Sequence, residues 1–175
     1  MQRVLIIGSG GAGKSTLARR LGSVTGLPVI HLDEHYWQPG WVEPDKAEWS
    51  CRVDELLEQE TWIMDGNFSG TLDQRLRAAD TVILLDLSRW RCLWRVIKRW
   101  LNHRGREREE MPAGCPERLS WGFLHWVLLY PNISRPRITG VLDRHAESVD
   151  VIRLDRPSAI AAFLRRQGDS VTIDG

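Results

Sequence analysis

The sequence has few of the features that mark disulfide-rich, metal-clustered or repetitive proteins. Cysteine is scarce: among 175 residues only Cys51, Cys92 and Cys115 occur, and no two of them form a C-x-x-C pair. This odd and scattered set indicates neither a disulfide framework nor a zinc cluster, and it favours a reducing compartment. Internal repeats and low-complexity tracts are missing as well, so the composition is that of an ordinary globular chain.

The sequence also lacks an apolar run of membrane-spanning length. The most apolar later stretch, residues 121–130, has about half the length of a membrane span and contains His125. The first residues lead directly into a short apolar run and then glycines, without the apolar core or cleavage site of a signal peptide. We therefore expect a cytoplasmic protein with no membrane partner.

The chain as a whole has no large excess of positive or negative charge. It contains 24 Lys and Arg against 23 Asp and Glu, for a net charge of +1, which argues against bulk binding of nucleic acid. The basic residues are unevenly distributed, however. Residues 87–145 hold 12 Lys and Arg against 5 Asp and Glu. Such a segment in a near-neutral protein indicates a focused anionic ligand.

A glycine-rich stretch between an apolar run and an amphipathic stretch carries the clearest chemistry. It matches G-x-x-x-x-G-K-[ST] in full, with one more hydroxyl residue after it: Gly8, Ser9, Gly10, Gly11, Ala12, Gly13, Lys14, Ser15 and Thr16. Glycines let successive backbone N–H groups converge on phosphate oxygens, and the following helix directs its positive dipole end at the same charge. Lys14 can reach the β- and γ-phosphates, and the Ser15 hydroxyl can complete a Mg²⁺ shell. The pattern predicts a P-loop that binds ATP with Mg²⁺; a fortuitous glycine-rich turn is the alternative.

Short apolar runs alternate with amphipathic stretches along the chain, which is typical of an α/β protein with a mainly parallel sheet. The predicted strands are residues 4–7, 28–32, 62–64, 82–87 and 149–154. The predicted helices are residues 14–25, 45–59, 72–78, 90–102, 120–129, 137–145 and 158–166. Two stretches break this alternation, an aromatic loop over residues 35–44 and a charged insertion over about 104–118. We interpret the insertion as a small lid within a single domain of residues 1–175.

Several sequence words resemble the adenylate-kinase-like group of P-loop kinases, and more narrowly the bacterial family called topology modulation protein, or FlaR-like. Besides the P-loop they are Ile30-His31-Leu32-Asp33, Trp62-Ile63-Met64-Asp65-Gly66-Asn67, Leu85-Asp86-Leu87 and Gly114-Cys115-Pro116-Glu117-Arg118. The resemblance implies a three-layer α/β P-loop kinase fold whose five parallel strands have the order 2-3-1-4-5. It also implies a kinase that transfers the ATP γ-phosphoryl to a small acceptor.

Two carboxylates follow predicted strands. Asp33 lies just past the second strand, at the sheet edge where α/β proteins bind ligands. In related small kinases an acidic residue here contacts the acceptor or a metal-bound water; a helix or turn cap is the alternative. Asp65 matches the acidic position of the adenylate kinase Leu-Asp-Gly word, which implies that it holds Mg²⁺ or orients Ser15. Adenylate kinases continue with Phe-Pro-Arg, whereas this chain has Asn67-Phe68-Ser69, which argues against a nucleoside monophosphate acceptor.

The stretch from Trp90 predicts a two-faced helix. One stripe is apolar and should pack against the sheet: Trp90, Leu93, Trp94, Ile97 and Leu101. The opposite stripe is basic: Arg91, Arg95, Lys98 and Arg99. Arg95 and Arg99 resemble the Arg-x-x-x-Arg word with which adenylate kinases enter their lid. That resemblance implies that both bind phosphate and act in catalysis; a solvated basic face is the alternative.

Weaker candidates surround this set. Arg104, Arg106, Arg135 and Arg137 are placed to close over a triphosphate, and Arg156 falls where such kinases put the adenine-contacting loop, although a plain turn is equally compatible. Trp37 and Trp41 are candidates for an acceptor pocket wall, whereas the tryptophans at 90, 94, 121 and 126 are expected in the core. His31 to His35 matches H-x-x-E-H, but a zinc site needs that segment to be a helix, and it follows a predicted strand.

Two classes of function remain open at this stage. The first is phosphoryl transfer from MgATP to a small acceptor, which the P-loop and the Arg95 and Arg99 pair favour. The second is a non-catalytic, ATP-dependent switch that acts on DNA topology or on a protein partner. It rests on the family name and on the basic segment. Neither the acceptor nor the oligomeric state is indicated by the sequence.

Overall fold

Five parallel strands form the centre of the molecule. The computed structural model describes residues 1–103, 112–116 and 118–173. The strands are β1 (Arg3–Gly8), β2 (Val29–His31), β3 (Trp62–Asp65), β4 (Thr81–Leu85) and β5 (Asp150–Leu154). They are ordered β2-β3-β1-β4-β5, and each neighbouring pair is parallel. The predicted fold class and strand order are therefore confirmed.

Helices cover both faces of this sheet. They are α1 (Lys14–Thr25), α2 (Leu32–Tyr36), α3 (Lys46–Leu57), α4 (Leu72–Ala78), α5 (Arg89–His103), α6 (Trp121–Leu129), α7 (Ser134–Arg144) and α8 (Pro157–Ile173). Alternate residues of β1 point to opposite faces: Leu5 and Ile7 pack with α3, α4 and α7, while Val4 and Ile6 pack with α1, α5, α6 and α8. The result is three layers with an apolar core on each side of the sheet.

The strand register decides which residues meet at the carboxyl edge. β1 lies in the middle, with Ile6 opposite Asp65 of β3 and Gly8 opposite Leu85 of β4. His31, the last residue of β2, is opposite Asp65. The P-loop, Asp65 and His31 therefore leave the sheet at the same edge, where α/β proteins bind ligands.

The prediction for the apolar face of α5 was wrong for four of its five residues, whereas Leu93 is partly buried against the core as predicted. Trp90, Trp94 and Leu101 are 68%, 59% and 63% exposed, and Ile97 is also exposed, whereas Cys92 and Val96 are buried. The inner face of α5 packs against the P-loop, where only small or medium side chains fit beside the loop backbone.

Two further predictions need correction. Trp121, expected in the core, is 86% exposed as the first residue of α6, while Trp126 is partly buried between the two cores. The segment after β2, predicted as a loop, contains the one-turn helix α2. The H-x-x-E-H histidines nevertheless lie on different elements, because His31 ends β2 while His35 is in α2. Most of the predicted lid, including Arg104 and Arg106, lies outside the described residues.

Within the ranges that the structure describes, each helix is too short or too polar to cross a membrane.

Candidate functional site

The loop between β1 and α1 is packed closely against its neighbours. A Cβ atom added to Gly11 would lie 2.3 Å from the Cys92 carbonyl oxygen and 2.9 Å from Val96 Cγ2, and the φ angle of Gly11 is +76°. A Cβ on Gly10 would lie 2.5 Å from the Phe123 ring. Distances under 3.0 Å are shorter than real Cβ contacts. Helices α5 and α6 can therefore pack this closely against the loop only because its glycines have no side chain.

We expect Gly11→Ala to destabilise the fold more than Gly26→Ala. Gly26 has nearly the same φ, +75°, but a Cβ there meets nothing within 4 Å. Gly26→Ala should therefore cost only the left-handed backbone term of about 1–2 kcal/mol. Gly11→Ala adds overpacking against α5 of about 1–3 kcal/mol. Urea unfolding of both variants measures the difference; equal losses would contradict close packing between the P-loop and α5.

Lys14, the first residue of α1, reaches back over the P-loop. Its Nζ atom donates hydrogen bonds to the carbonyl oxygens of Gly8 at 3.1 Å and Ser9 at 3.2 Å. Burial lowers the pKa of the Lys14 ammonium, while the nearby carboxylates of Asp65 and Asp33 partly oppose that shift. The ammonium therefore contacts the backbone of the glycine-rich loop and is within electrostatic reach of two carboxylates.

Asp65 joins three elements at the carboxyl edge of the sheet. Its side chain is almost fully buried, and its Oδ2 accepts a hydrogen bond from Ser15 Oγ at 2.8 Å. Its Oδ1 is hydrogen-bonded to His31 Nδ1. The sequence interpretation paired Asp65 with Ser15 but did not include His31. Strand register is the signal that connects the two, since His31 and Asp65 are directly opposite in neighbouring parallel strands.

The donor set of Ser15 and Asp65 fits Mg²⁺, which prefers oxygen ligands and keeps several waters. In the described parts of the chain, no group of three or more His, Cys, Asp or Glu residues is arranged to hold a metal ion. The remaining ligands of a Mg²⁺ at this point would be phosphate oxygens and water.

Asn67 and Arg75 fix the chain after β3. Asn67 Oδ1 accepts a hydrogen bond from the backbone N–H of Gly8 at 3.0 Å, which ties this segment to the start of the P-loop. The Arg75 side chain is fully buried, and its guanidinium donates to the carbonyl oxygens of Gly66 at 3.1 Å and Phe68 at 2.9 Å, and also to those of Thr71 and Asn67. Burial lowers the pKa of Arg75 to about 9, so it remains a cation at neutral pH.

The α5 arginines lie beside the P-loop. Arg95 Nη1 donates to the Ala12 carbonyl oxygen at 3.2 Å, and it would lie 3.5 Å from a Cβ on Gly13. Arg99 lies close enough for its charge to contribute to the lowered pKa of Lys14. The structure thus places Arg95 and Arg99 next to the P-loop.

The other candidate arginines have different surroundings. Arg156 is exposed, forms an ion pair with Asp155 at 3.8 Å, and does not belong to the described residues that line the cavity with the P-loop. Arg135 donates to both carboxylate oxygens of Asp86 at 3.3 Å, and Arg153 binds the same carboxylate. Arg137 lines the cavity. Arg156 is thus an exposed residue next to Pro157, which does line the cavity, and Arg135 is engaged in an ion pair.

One cavity of about 1500 Å³ runs from the P-loop to the aromatic loop. Asp33 and Asn67 line it as well. Four aromatic side chains line the far end, with ring centroids 4.5–5.2 Å apart in successive contacts: Tyr36, Trp37, Trp41 and Phe68. Trp37 and Trp41, predicted as a pocket wall, are thus lining residues of the cavity that contains the P-loop.

The aromatic end of the cavity carries backbone strain. Trp41 (φ 66°) and Phe68 (φ 29°) are the non-glycine residues with positive φ in the described structure. Bulky residues rarely adopt such angles, and strain of this kind clusters at ligand sites. Trp41 is held by a hydrogen bond from its Nε1 to the Pro116 carbonyl oxygen at 3.2 Å and by the Arg118 guanidinium, 4.7 Å from the ring centroid.

Comparisons with known proteins give a match in structure and none in sequence. No protein-family model matches this chain, and no curated protein matches it. Among solved structures, it is similar to shikimate kinase from Acinetobacter baumannii in complex with shikimate, with a TM-score of 0.58 and 16% identity. The match covers 99% of this chain and 94% of the other. The protein has the P-loop kinase fold. At this identity the likeness shows the fold alone, and the narrower resemblance to topology modulation proteins stays a prediction.

Proposed function

We propose that this protein is a phosphotransferase that moves the γ-phosphoryl group of ATP to a small acceptor. The observation that supports it best is the cavity that is lined both by the P-loop and by Asp33 with the aromatic wall. A site that only binds nucleotide has no need for an aromatic wall and a further carboxylate in the same cavity as the P-loop. Positioning two substrates in one such space is the main task of a phosphoryl-transfer enzyme.

The donor side of the proposal uses the residues around the P-loop. The P-loop of residues 8–16 binds the phosphates through its backbone N–H groups other than those of Gly8 and Ala12, which are bonded within the fold, with Lys14 on the β- and γ-phosphate oxygens. Ser15 and Asp65 hold Mg²⁺, which neutralises phosphate charge when it is bound. Arg95 and Arg99 neutralise the charge that grows during transfer. Arg156 contributes the adenine contact, a role supported by its place after β5 and by its neighbour Pro157, which lines the cavity.

On the acceptor side, Asp33 takes the proton of the acceptor hydroxyl group. The acceptor's hydroxyl oxygen forms a bond to the γ-phosphorus, while the bond from that phosphorus to the β,γ-bridging oxygen breaks and ADP leaves with its electron pair. The Asp33 carboxylate accepts the hydroxyl proton. Asp33 is partly buried on the cavity wall, and Lys14 is near enough for the two charges to interact. The carboxylate thus shares the cavity with the P-loop and with the aromatic wall.

We expect Asp33→Asn to lower kcat by about 10²–10⁴-fold, because the acceptor hydroxyl loses its general base. Affinity for MgATP should remain within a few-fold of the wild type, since Asp33 makes no proposed contact with the nucleotide. Glu34→Gln, a neighbouring exposed carboxylate, serves as the matched control and should behave like the wild type. A steady-state coupled assay for ADP measures kcat. Equal rates for Asp33→Asn and Glu34→Gln would remove Asp33 from the mechanism.

The acceptor itself is best sought among small hydroxylated compounds. The wall formed by Trp37 and Trp41 offers flat apolar contact, and Asn67, whose Oδ1 is engaged by Gly8, replaces part of the Phe-Pro-Arg word that grips an acceptor phosphate in adenylate kinases. This argues for an acceptor without a phosphate group. The related structure contains shikimate, a hydroxylated ring, so compounds of that class come first in a search.

Turnover with pooled acceptors tests the function directly. The protein is incubated with γ-labelled ATP and separate pools of nucleosides, sugars, hydroxy acids and nucleotides, and label transfer is followed by chromatography. Transfer to one pool that disappears in Lys14→Ala supports a kinase. Nucleotide binding without transfer to any pool would refute the kinase and favour the ATP-dependent switch acting on DNA or a protein.

Three wider features belong to the proposal as well: a single domain over residues 1–175, a cytoplasmic location, and membership of the topology modulation family. The parallel sheet that contains both β1 and β5 supports the first. The scarcity of cysteine supports the second. The sequence words around residues 30–33 and 62–67 support the third.

A further inference from the structure

The outer face of α5 is an apolar surface that the fold does not bury. Trp90, Trp94, Ile97 and Leu101 are spaced by four, three and four residues, so they lie on one side of the helix, and all four are exposed. We name them the α5 tryptophan face. Trp121 adds a fifth exposed apolar side chain at the start of α6, which packs against α5. Contiguous exposed apolar surface of this kind marks an interaction site.

The charge on the same helix is entirely positive. Between its first and last residues α5 contains five basic residues and neither Asp nor Glu: Arg89, Arg91, Arg95, Lys98 and Arg99. Arg91 and Lys98 are exposed on the helix surface, and Lys98 Nζ lies 5.0 Å from the centroid of the Trp94 ring. A helix with tryptophan and leucine on one side and Lys and Arg beside them has the composition of a helix that lies in a membrane interface.

A second copy of this chain fits the α5 tryptophan face poorly. The spacing of the four residues resembles a coiled-coil seam, but such seams use Leu, Ile and Val, and indole rings are too large for their holes. Self-pairing would also bring two strongly basic helices together with no acidic residue on either to compensate.

Nucleic acid is a weaker fit than lipid for the same surface. Stacking on bases needs free ring faces, whereas the Lys98 ammonium lies over the Trp94 ring. Ile97 and Leu101 have no polar or aromatic group to offer a base or a phosphate. Both side chains are, however, suited to the acyl boundary of a bilayer, where indole rings also concentrate.

We propose that the α5 tryptophan face binds anionic lipid surfaces, with α5 lying in the plane of the interface. The opposite side of α5, which carries Cys92 and Val96, stays packed against the P-loop, so no unfolding is needed. The sequence predicted no membrane partner, but that prediction considered only spanning segments. This inference does not depend on the proposed phosphotransferase activity.

Vesicle flotation of the full chain tests the inference. Phosphatidylcholine vesicles are compared with vesicles of equal parts phosphatidylcholine and phosphatidylglycerol, at low and high salt. We expect binding to the anionic vesicles alone, a blue shift of tryptophan emission on binding, and loss of binding at high salt. Failure to bind anionic vesicles, or equal binding to neutral ones, would overturn the proposal.

Matched variants assign the binding to residues. The double variant Trp90→Ser/Trp94→Ser and the double variant Arg91→Glu/Lys98→Glu should each bind about tenfold or more weakly. Val151→Ser, which removes an exposed apolar side chain from β5, should bind like the wild type. Thermal unfolding of each variant checks that its fold is intact. Unchanged vesicle binding in folded double variants overturns the proposal. The proposal would also be overturned if the double variants kept vesicle binding but lost a concentration-dependent dimerisation, or a binding to single-stranded DNA, that the wild type shows.

Discussion

Replacing Lys14 by alanine is expected to lower kcat/KM for ATP by about 10²–10³-fold, the usual loss when a preorganised donor to a transition-state oxyanion is removed. Lys14 is held over the P-loop by hydrogen bonds to Gly8 and Ser9. Its ammonium therefore needs little reorganisation to meet a phosphate. The fold should survive the change, because the Lys14 residue is only half-buried. Initial rates across ATP concentrations, combined with binding of a fluorescent ATP analogue, measure both effects.

Lys46→Ala is the matched control for this substitution. Lys46 is exposed at the start of α3 and does not belong to the described residues that line the cavity. Its loss should leave kcat/KM within a factor of about two, as for most surface changes. If Lys14→Ala and Lys46→Ala gave the same rates, the P-loop assignment would be refuted together with the phosphotransferase.

The pH profile of kcat/KM provides a second readout of Lys14. Burial lowers the pKa of this ammonium, and the charged form is the one that we propose to bind phosphate. Because kcat/KM reports groups of the free enzyme, its alkaline limb should begin at a lower pH than an ordinary lysine would give. As the pH rises through the lowered pKa, the charge and the activity are lost together. A profile flat up to the range of a free lysine would contradict this environment.

The P-loop and the sheet could be predicted from the sequence because their signals are local. The glycine pattern fixes a loop geometry without reference to distant residues, and the uninterrupted apolar run at 82–85 predicts a strand that is covered on both faces, as β4 is. The strand order came from the resemblance rather than from any pattern in the chain. Parallel pairing across long connections leaves no local signal.

The faces of α5 could not be predicted because the helix has two apolar stripes. One contains Trp90, Trp94, Ile97 and Leu101, and the other contains Cys92 and Val96. Hydrophobicity favours burial of the larger stripe. The smaller stripe is buried instead, because its neighbour is the P-loop backbone at Gly11, where bulky side chains do not fit.

The side-chain contacts around the site could not be predicted either, because they join residues that are neighbours only in the folded structure. His31 lies beside Asp65 because of the register between β2 and β3. Asn67 contacts Gly8 because β3 and β1 are parallel neighbours in the sheet. Neither pair is close in the sequence. Arg75 was missed because arginine in a short helix normally faces solvent, and its carbonyl partners lie in a loop whose path is not encoded in any motif.

Replacing Arg75 by methionine is expected to lower the free energy of unfolding by about 3–5 kcal/mol, since several buried carbonyl oxygens lose their donor at once. Methionine keeps much of the apolar stem, so the loss reports mainly the guanidinium. Arg77→Met on the same helix is the matched control. Arg77 is 69% exposed and pairs with Asp73 at 2.6 Å, so its loss should cost about 0.5 kcal/mol or less. Urea unfolding followed by circular dichroism measures both.

The same variant should also weaken ATP binding, since the Arg75 guanidinium fixes the segment from which Asn67 accepts the Gly8 N–H. Arg75→Lys separates charge from geometry. A lysine keeps the positive charge but its compact ammonium cannot reach carbonyl oxygens spread over Gly66, Phe68 and Thr71, so it should recover only part of the lost stability. Full recovery by lysine would show that charge alone matters there. Equal stability of Arg75→Met and Arg77→Met would mean that water replaces the Arg75 guanidinium without loss of stability. The loop after β3 would then keep its conformation without the Arg75 hydrogen bonds.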